Sequence, residues 1–521
     1  MNAVVDDSAA VFDIAVIGGG INGCGVARDA AGRGLSVLLV EQGDLASATS
    51  SASSKLIHGG IRYLEHYEFR LVREALKERD VLLGIAPHIS RPMRFVFPHN
   101  PEMRPMWMIR AGLFLYDHLG GRAFPPSRPI RDFAASETGR LLKSGFDKAF
   151  EYSDCWVDDA RLVVLNARDA ADRGARILTR TRCTSADSAN GAWRIVTRDL
   201  ETGNEEMFAA RVLVNATGPW VSDFLSSNVH AELVDHGTTG TRKVKGSHLI
   251  VRKWFDHDRA YILQNHDRRI VFVLPFEDDY VLIGTTDVDY DGDPAVVAPS
   301  DEERDYLLAC VADYFQHRVS PADVVGGFAG VRPLYDDGVG KAQEATRDYV
   351  LKHAKTRDGA GIVNVFGGKL TTYRRLAEAV LERVASLAGP VPKPWTARAA
   401  LPGGDFDPAE REARLEECAR TFPFLPRPLV KSLFRRYGLD VHRLVDGADT
   451  LADLGHHFGA GLYEAEVRWL VEREWARTSE DILWRRTKLG LEASRIDVDA
   501  LDRWLAGRAP GGAVAASGTP G

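Results

Sequence analysis

The chain has 521 residues, of which 66 are Lys or Arg and 73 are Asp or Glu, for a formal net charge of −7. Hydrophobic residues make up 45% and charged residues 27%, as expected for a soluble globular protein of about three domains, which excludes a disordered polyelectrolyte. The mild acidity speaks against nucleic acid as a partner, since such binders are normally basic.

In chain order, FDIAVIGG from Phe12 reads as a short buried strand closed by glycines. A helix is expected over about Asn22 to Gly32, and SVLLV (Ser36–Val40) as a second strand ending at Glu41. This strand–helix–strand unit implies a parallel sheet. Residues 45–54, LASATSSASS, fit either a flexible linker or a loop pressed against a ligand. Phe69 to Leu83 reads as a helix, and 86–150, rich in Pro and Arg, as an excursion from the first domain. RLVVLNARDAADRG from Arg161 reads as a helix, ARILTRTRCTSA as a strand, and RVLVNATG (211–218) as a strand meeting a glycine turn. RIVFVLPF, YVLIGTTD and GIVNVFGG (361–368) are further strands, and LTTYRRLAEAVLERVASL is helical. GPVPKPW (389–395) reads as a linker into a charged helical region, where Val467, Leu470, Val471 and Trp475 fit one helical face. The tail GRAPGGAVAASGTPG reads as disordered.

Five scattered cysteines (Cys24, Cys155, Cys183, Cys310, Cys418) include no C-x-x-C pair. No disulfide framework or metal site is therefore expected, and reduced thiols are the simplest reading. The first residues, MNAVVDDSAAVFD, carry acids where a signal peptide carries Lys or Arg. No run of 18 uncharged apolar residues occurs, so no transmembrane helix is predicted.

Gly18, Gly20 and Gly23 form G-x-G-x-x-G between the first strand and the first helix. Gly18 permits the turn, Gly20 lets the backbone approach a pyrophosphate, and Gly23 lets helix and strand pack closely. The pyrophosphate then faces the helix N-terminus. Glu41, at the end of the second strand, is placed to accept hydrogen bonds from an adenosine ribose. The loop alone does not separate FAD from NAD, although its N-terminal position and the late return of the sheet favour FAD. In TSSASSKLIHGGIRYLEHYE (49–68), Thr49, Ser50, Ser53 and Ser54 offer hydroxyls and amides without bulk, and Lys55 adds a charge. Gly59 and Gly60 allow close approach to a flat ring, and His58 and Arg62 bracket them.

These segments resemble the aerobic, FAD-dependent glycerol-3-phosphate dehydrogenases, most closely the bacterial membrane-associated enzyme. The matching motifs are GGGING (18–23), SSKLIHGGIRYL (53–64), YSDCWVDDARL (152–162) and NATGPW (215–220). They continue with KGSH (245–248), IGTTD (283–287), GVRPL (330–334) and FGGKLTTYR (366–374). The resemblance spans about residues 11–506 and implies oxidation of glycerol 3-phosphate to dihydroxyacetone phosphate, with a hydride passing to FAD and electrons to a membrane quinone. It also implies a monotopic enzyme on the cytoplasmic face of the membrane.

The implied fold is a glutathione-reductase-like α/β FAD domain, with a mainly antiparallel substrate domain inserted and an α-helical C-terminal domain. The FAD domain is expected in three segments (11–85, 151–230, 326–390), the substrate domain in two (86–150, 231–325), and the helical domain over 400–506, before the tail 507–521. For the cofactor, the motifs implicate Gly18, Gly20, Asn22, Gly23, Glu41, Thr49, Ser50, Ser53, Ser54, Lys55, His58, Gly59 and Gly60. Later motifs add Ala216, Gly218, Gly367, Gly368, Lys369, Leu370 and Thr371. For the substrate they implicate Arg62, Tyr63, His248, Arg332 and Lys369, since arginine forks suit a phosphate. His58, His248, Arg332 and Lys369 are the candidate catalytic residues, with the identity of the base open between the two histidines. No metal enters the scheme.

Two alternatives share the motifs: an oxidase that uses oxygen and releases peroxide, and a non-catalytic redox sensor, which would need no phosphate clamp. Met103–Leu119 combines Trp107, Met108, Ile109, Leu113 and Phe114 with Arg104 and Arg110, which suits an anionic interface or a core helix. The sequence gives no oligomeric state, and a homodimer stays open.

Overall fold

The computed structural model describes residues 11–61, 64, 67–100, 103–121, 124–234, 240–267, 269–336 and 348–507. Arg62, Tyr63 and the tail beyond Gly507 lie outside the described residues.

The first sheet is built around Val11–Ile17, whose last four residues are buried. It pairs in parallel with Val37–Val40 on one side and Glu205–Asn215 on the other. Arg176–Leu178 and Gly361–Phe366 extend the parallel core outward, and Val350–Thr356 adds antiparallel with Leu233–Val234 at its outer edge. Near-continuous Val, Ile and Leu in these strands reflect burial on both faces. Ile21–Gly32 is buried almost all round; its small residues admit close neighbours, and a Cβ on Gly25 would lie 2.6 Å from the Tyr373 ring. Tyr373 opens the helix Tyr373–Ala388.

The second sheet is antiparallel apart from the parallel pairing of Ala260–Gln264 with Ser90–His99. Its long pair, Thr241–Arg252 with Val324–Tyr335, brings His248 and Arg332 toward the first sheet. Four strands fall on the other side of the expected segment bounds: Leu56–Ile57, Lys148–Val157 and Val324–Tyr335 in the second sheet, and Leu233–Val234 in the first. Lys148–Val157 pairs with Ser90–His99, and Val324–Tyr335 with Thr241–Arg252, so both belong to the second sheet. A strand buried on both faces reads the same in either sheet.

The C-terminal region has its own core, including Leu433, Phe434, Val467, Leu470 and Leu501. Trp475 does not continue the face of Val467 and Leu470: the helix ends at Glu474, and Trp475 caps it at φ 57°. The 389–395 linker is pinned, because Trp395 Nε1 donates to Asp29 O at 3.1 Å. Among the described residues no helix is long and apolar enough to cross a membrane.

Candidate functional site

A cavity of about 800 Å³ is walled by both sheets. At one end stands the glycine loop. Gly18 turns at φ 112°, and a Cβ on Gly23 would lie 1.9 Å from Gly18 O, so only glycine allows the helix to approach the strand there. The helix Ile21–Gly32 begins at Gly20 with no side-chain cap and no acid in its first turn. Its opening amides are oriented for an anion. Ser50 Oγ accepts from Ile21 N at 3.0 Å, which ties the Ser-rich loop to this helix end. That loop is packed against its neighbours: Thr49 Oγ1 donates to Val331 O at 2.7 Å, and Ser53 Oγ to Asp159 at 2.7 Å.

Glu41 accepts from Gly19 N at 2.6 Å and Gly43 N at 2.7 Å. Burial raises its pKa while these amides oppose the shift. Asn22 Nδ2 donates to Gly367 O at 3.1 Å, joining the glycine loop to the turn at Gly367 and Gly368, both at positive φ. Asn22 Oδ1 is buried without a hydrogen-bond partner among the described residues. An orphaned buried acceptor, a helix N-terminus with no acid in its first turn and a carboxylate at the end of the second strand fit a bound dinucleotide.

The other end of the cavity gathers His58, His248, Arg332 and Lys369. The Arg332 guanidinium is ion-paired to Asp287 and donates from Nη2 to Thr285 Oγ1 at 3.1 Å, while its side chain stays 35% exposed. Gly246 makes room for it: a Cβ there would lie 2.3 Å from Arg332 Nη2. His248 Nε2 is 2.9 Å from Ser54 Oγ, and its ring stacks on Phe328 at 4.9 Å. Burial, with Arg332 and Lys55 adding to it, holds the His248 pKa well below the usual range. Burial and the Lys369 charge push the His58 pKa down to about 4. Both imidazoles are therefore neutral at pH 7. Lys369 precedes the turn Leu370–Thr372 that leads into the Tyr373 helix.

Of the residues expected at the cofactor, Gly18, Gly20, Asn22, Glu41, Thr49, Ser50, Ser53, Ser54, His58, Ala216, Gly218, Gly367, Gly368, Lys369, Leu370 and Thr371 line the cavity. Gly23, Lys55, Gly59 and Gly60 stand behind its wall. Lys55 does not offer its charge to a ligand: it is buried, with Nζ 2.8 Å from Asp159 Oδ1 and 3.0 Å from Ser51 O. Gly59 N donates to Tyr116 Oη at 2.8 Å. Sequence reasoning missed Gln42, Ser47 and the strand start Thr181–Cys183, which also form the wall. Gln42 follows Glu41 and Ser47 lies in the Ser-rich loop, whereas Thr181–Cys183 carry no motif and arrive only through contact between distant segments.

Residues 13–374 match the family model of FAD dependent oxidoreductases, and residues 394–507 match the C-terminal domain of alpha-glycerophosphate oxidase. A glycerol-3-phosphate dehydrogenase of Pseudomonas aeruginosa is 52% identical over 505 residues, covering 96% of each chain. The aerobic glycerol-3-phosphate dehydrogenase of Escherichia coli is 49% identical, covering 95% of this chain and 97% of that protein. A D-erythritol 1-phosphate dehydrogenase of Brucella abortus is 51% identical with the same coverage. The crystal structure of glycerol-3-phosphate dehydrogenase from Bacillus halodurans, complexed with FAD, superposes with a TM-score of 0.77 at 28% identity, over 95% of this chain and 90% of that one. With the glycine loop and the paired sheets in place, this chain belongs to the aerobic glycerol-3-phosphate dehydrogenase family of FAD-dependent oxidoreductases.

Proposed function

We propose that this enzyme oxidises sn-glycerol 3-phosphate at carbon 2 to dihydroxyacetone phosphate and passes the electrons to a membrane quinone at the cytoplasmic face. The observation that carries the substrate reading is the grouping of Arg332, Lys369, His58 and His248 at one end of a cavity whose other end fits a dinucleotide. FAD, when bound, supplies the acceptor for the hydride. Arg332 is set to bind the substrate phosphate: Asp287 and Thr285 fix its guanidinium plane before the ligand arrives, so little ordering remains to be done on binding. Lys369 adds a second positive charge from the glycine-flanked turn. His58, neutral and beside that charge, is the candidate acceptor for the hydroxyl proton. His248, held by Ser54, orients the alcohol. The resemblance also implies Arg62 and Tyr63 at the substrate.

The helix Met106–Leu119 supports the membrane reading. Only Leu113 and Tyr116 are buried in it, while Trp107 is 68% and Phe114 62% exposed, beside the exposed Arg104 and Arg110. A core helix would bury these rings; an interfacial helix presents them.

The Brucella relative favours a second substrate reading, D-erythritol 1-phosphate, which shares the terminal phosphate and adds one hydroxylated carbon. The deciding experiment is anaerobic. The purified protein is mixed with each phosphate in turn and the flavin absorbance followed, before a ubiquinone analogue or oxygen is added. Rapid bleaching by glycerol 3-phosphate, reversed quickly only by quinone, is the expected result. Bleaching by D-erythritol 1-phosphate alone would replace the substrate. Rapid reversal by oxygen with peroxide released would make the enzyme an oxidase, and no bleaching by either phosphate would leave the sensor reading.

A further inference from the structure

The C-terminal domain has its own hydrophobic core, yet it reaches into the FAD domain through a dense set of buried charges. Some of these dock the two domains: Arg161 is paired with Glu474, and Arg168 lies 3.0 Å from Asp440. Others extend from that face, where Arg486 Nη2 also donates to Glu474 O at 2.7 Å. They converge on Asp44, in the loop that follows Glu41. Asp44 is buried and accepts from Arg485 Nε at 2.7 Å, Arg486 Nη1 at 2.9 Å and Arg486 Nη2 at 2.7 Å. Arg485 also donates to Asp481 Oδ1 at 2.5 Å, and Asp481 Oδ2 accepts from Arg180 Nη2 at 2.6 Å.

Arg180 and Asp44 belong to the two loops that wall the Glu41 end of the cavity. Gln42, Gly43 and Ser47 come from one, Thr181 and Arg182 from the other. The loops are joined by their backbones, with Arg180 N donating to Gly43 O at 2.9 Å and Thr181 N to Glu41 O at 2.9 Å. On the far side of that joint both are gripped by one short segment, Asp481–Arg486, a π-helical turn closed by Thr487 N to Ile482 O at 2.9 Å. Wide turns of this kind recur at functional sites. A buried cluster of charges is a poor source of stability compared with apolar packing, but it fixes geometry sharply. The docking pairs join the domains, and Arg486, bonded to both Glu474 and Asp44, carries that junction on to the loops.

We propose that Arg485 and Arg486 are positioning residues of the FAD site: through Asp44 and the Asp481–Arg180 pair, the C-terminal domain holds the two loops at the Glu41 end in the shape that retains the cofactor. The role concerns FAD alone and stands whichever polyol phosphate is the substrate.

The test is made on the holoenzyme. Arg485→Gln and Asp44→Asn are compared with wild type for the rate of FAD release on dilution, read by the rise in free-flavin fluorescence. Melting temperature is measured with and without excess FAD. Release is expected to be about tenfold faster or more in each variant, the effect of losing at least one charge-assisted hydrogen bond. The double variant should be little worse than either single one, because both cut the same grip. Excess FAD should restore most of the lost melting temperature, and Arg485→Lys should recover part of the retention. Release within twofold of wild type in folded variants would overturn the proposal. So would an equal fall in melting temperature with and without excess FAD, which marks a merely structural role. Should Asp44→Asn not fold, Arg180→Gln loosens the other arm at a partly exposed side chain and carries the same two outcomes.

Discussion

Tyr116 Oη stands 2.8 Å from the Gly59 amide, which donates to it, and 2.8 Å from Asp154 Oδ1, to which it donates. One hydroxyl thus links the helix with the exposed Trp107 and Phe114 to the segment that carries His58. Tyr116→Phe leaves a buried amide and a buried carboxylate short of a partner, at a cost of about 1–3 kcal/mol. Burial already raises the Asp154 pKa to about 6, and losing this donor raises it further. The expected result is a lower melting temperature and a slower turnover at unchanged FAD content. An unchanged melting temperature would show that water replaces the hydroxyl.

Gly20 and Gly23 are expected to fail differently. Gly20 has an extended backbone, and a Cβ there meets only Ser50 Oγ, at 3.1 Å. Gly20→Val should give folded, soluble and colourless protein, because the side chain occupies the place of the pyrophosphate. Gly23→Ala forces a Cβ against Gly18 O, a backbone atom that cannot move aside. It should destabilise the fold itself, by about 3 kcal/mol or more. Circular dichroism beside the ratio of flavin to protein absorbance separates the two, and a fully yellow Gly20→Val protein would end the assignment of the loop.

How much of this was legible in the sequence follows from the distances along the chain. The glycine loop and Glu41 sit within one strand–helix–strand unit, and their spacing alone carries the chemistry. Lys55 was misread because its partner, Asp159, lies 104 residues away; a lysine in a Ser-rich loop looks like a ligand contact until that carboxylate is seen beneath it. The Asp44 grip spans 441 residues and breaks no local rule, so nothing near Asp44 announces it. Arg332 and Asp287 were each legible from a motif, GVRPL and IGTTD, whereas their pairing across 45 residues was not. The sheet membership of Lys148–Val157 was hidden because the strand is buried on both faces, with no alternation to mark which sheet it joins.

Arg332→Ala should raise KM for glycerol 3-phosphate roughly a hundredfold, or about 3 kcal/mol, as expected for losing a paired arginine–phosphate contact. FAD content should hold. Arg332→Lys keeps the charge without the planar fork and should fall between the two. Steady-state kinetics on the fully loaded enzyme decide it; unchanged KM in Arg332→Ala would remove this residue from the phosphate.

The pH dependence of kcat at saturating substrate tests His58. Its pKa is pushed down to about 4 by burial and then by Lys369, so a base at this position loses activity only as pH falls through about 4, far below the ordinary histidine range. Lys369→Met removes the like charge but not the burial, and should move the acid limb upward by part of that interval. The same shift acts on folding. Below pH 6.5 an unfolded imidazole takes up a proton that the folded one refuses until about 4, so His58 makes the fold less stable across that window as pH falls. An acid limb near 6.5, unmoved by Lys369→Met, would assign the base elsewhere.

The exposed face of Met106–Leu119 predicts where the protein sits. Trp107 and Phe114 lie on a helix that packs on the core through Leu113 and Tyr116, with Met106, Ile109 and Leu119 partly buried beside them, so replacing both exposed rings with Ser leaves that packing intact. The double variant should keep its FAD, its melting temperature and its anaerobic reduction by substrate. It should move from vesicles containing anionic lipid into the supernatant of a flotation assay, because the rings supply the apolar contact and the flanking arginines only the attraction to charged headgroups. High salt alone should release part of the wild-type protein and nearly all of the variant. Equal flotation of the two proteins would place the membrane-binding surface elsewhere on the molecule, and a fall in melting temperature would return these rings to the core.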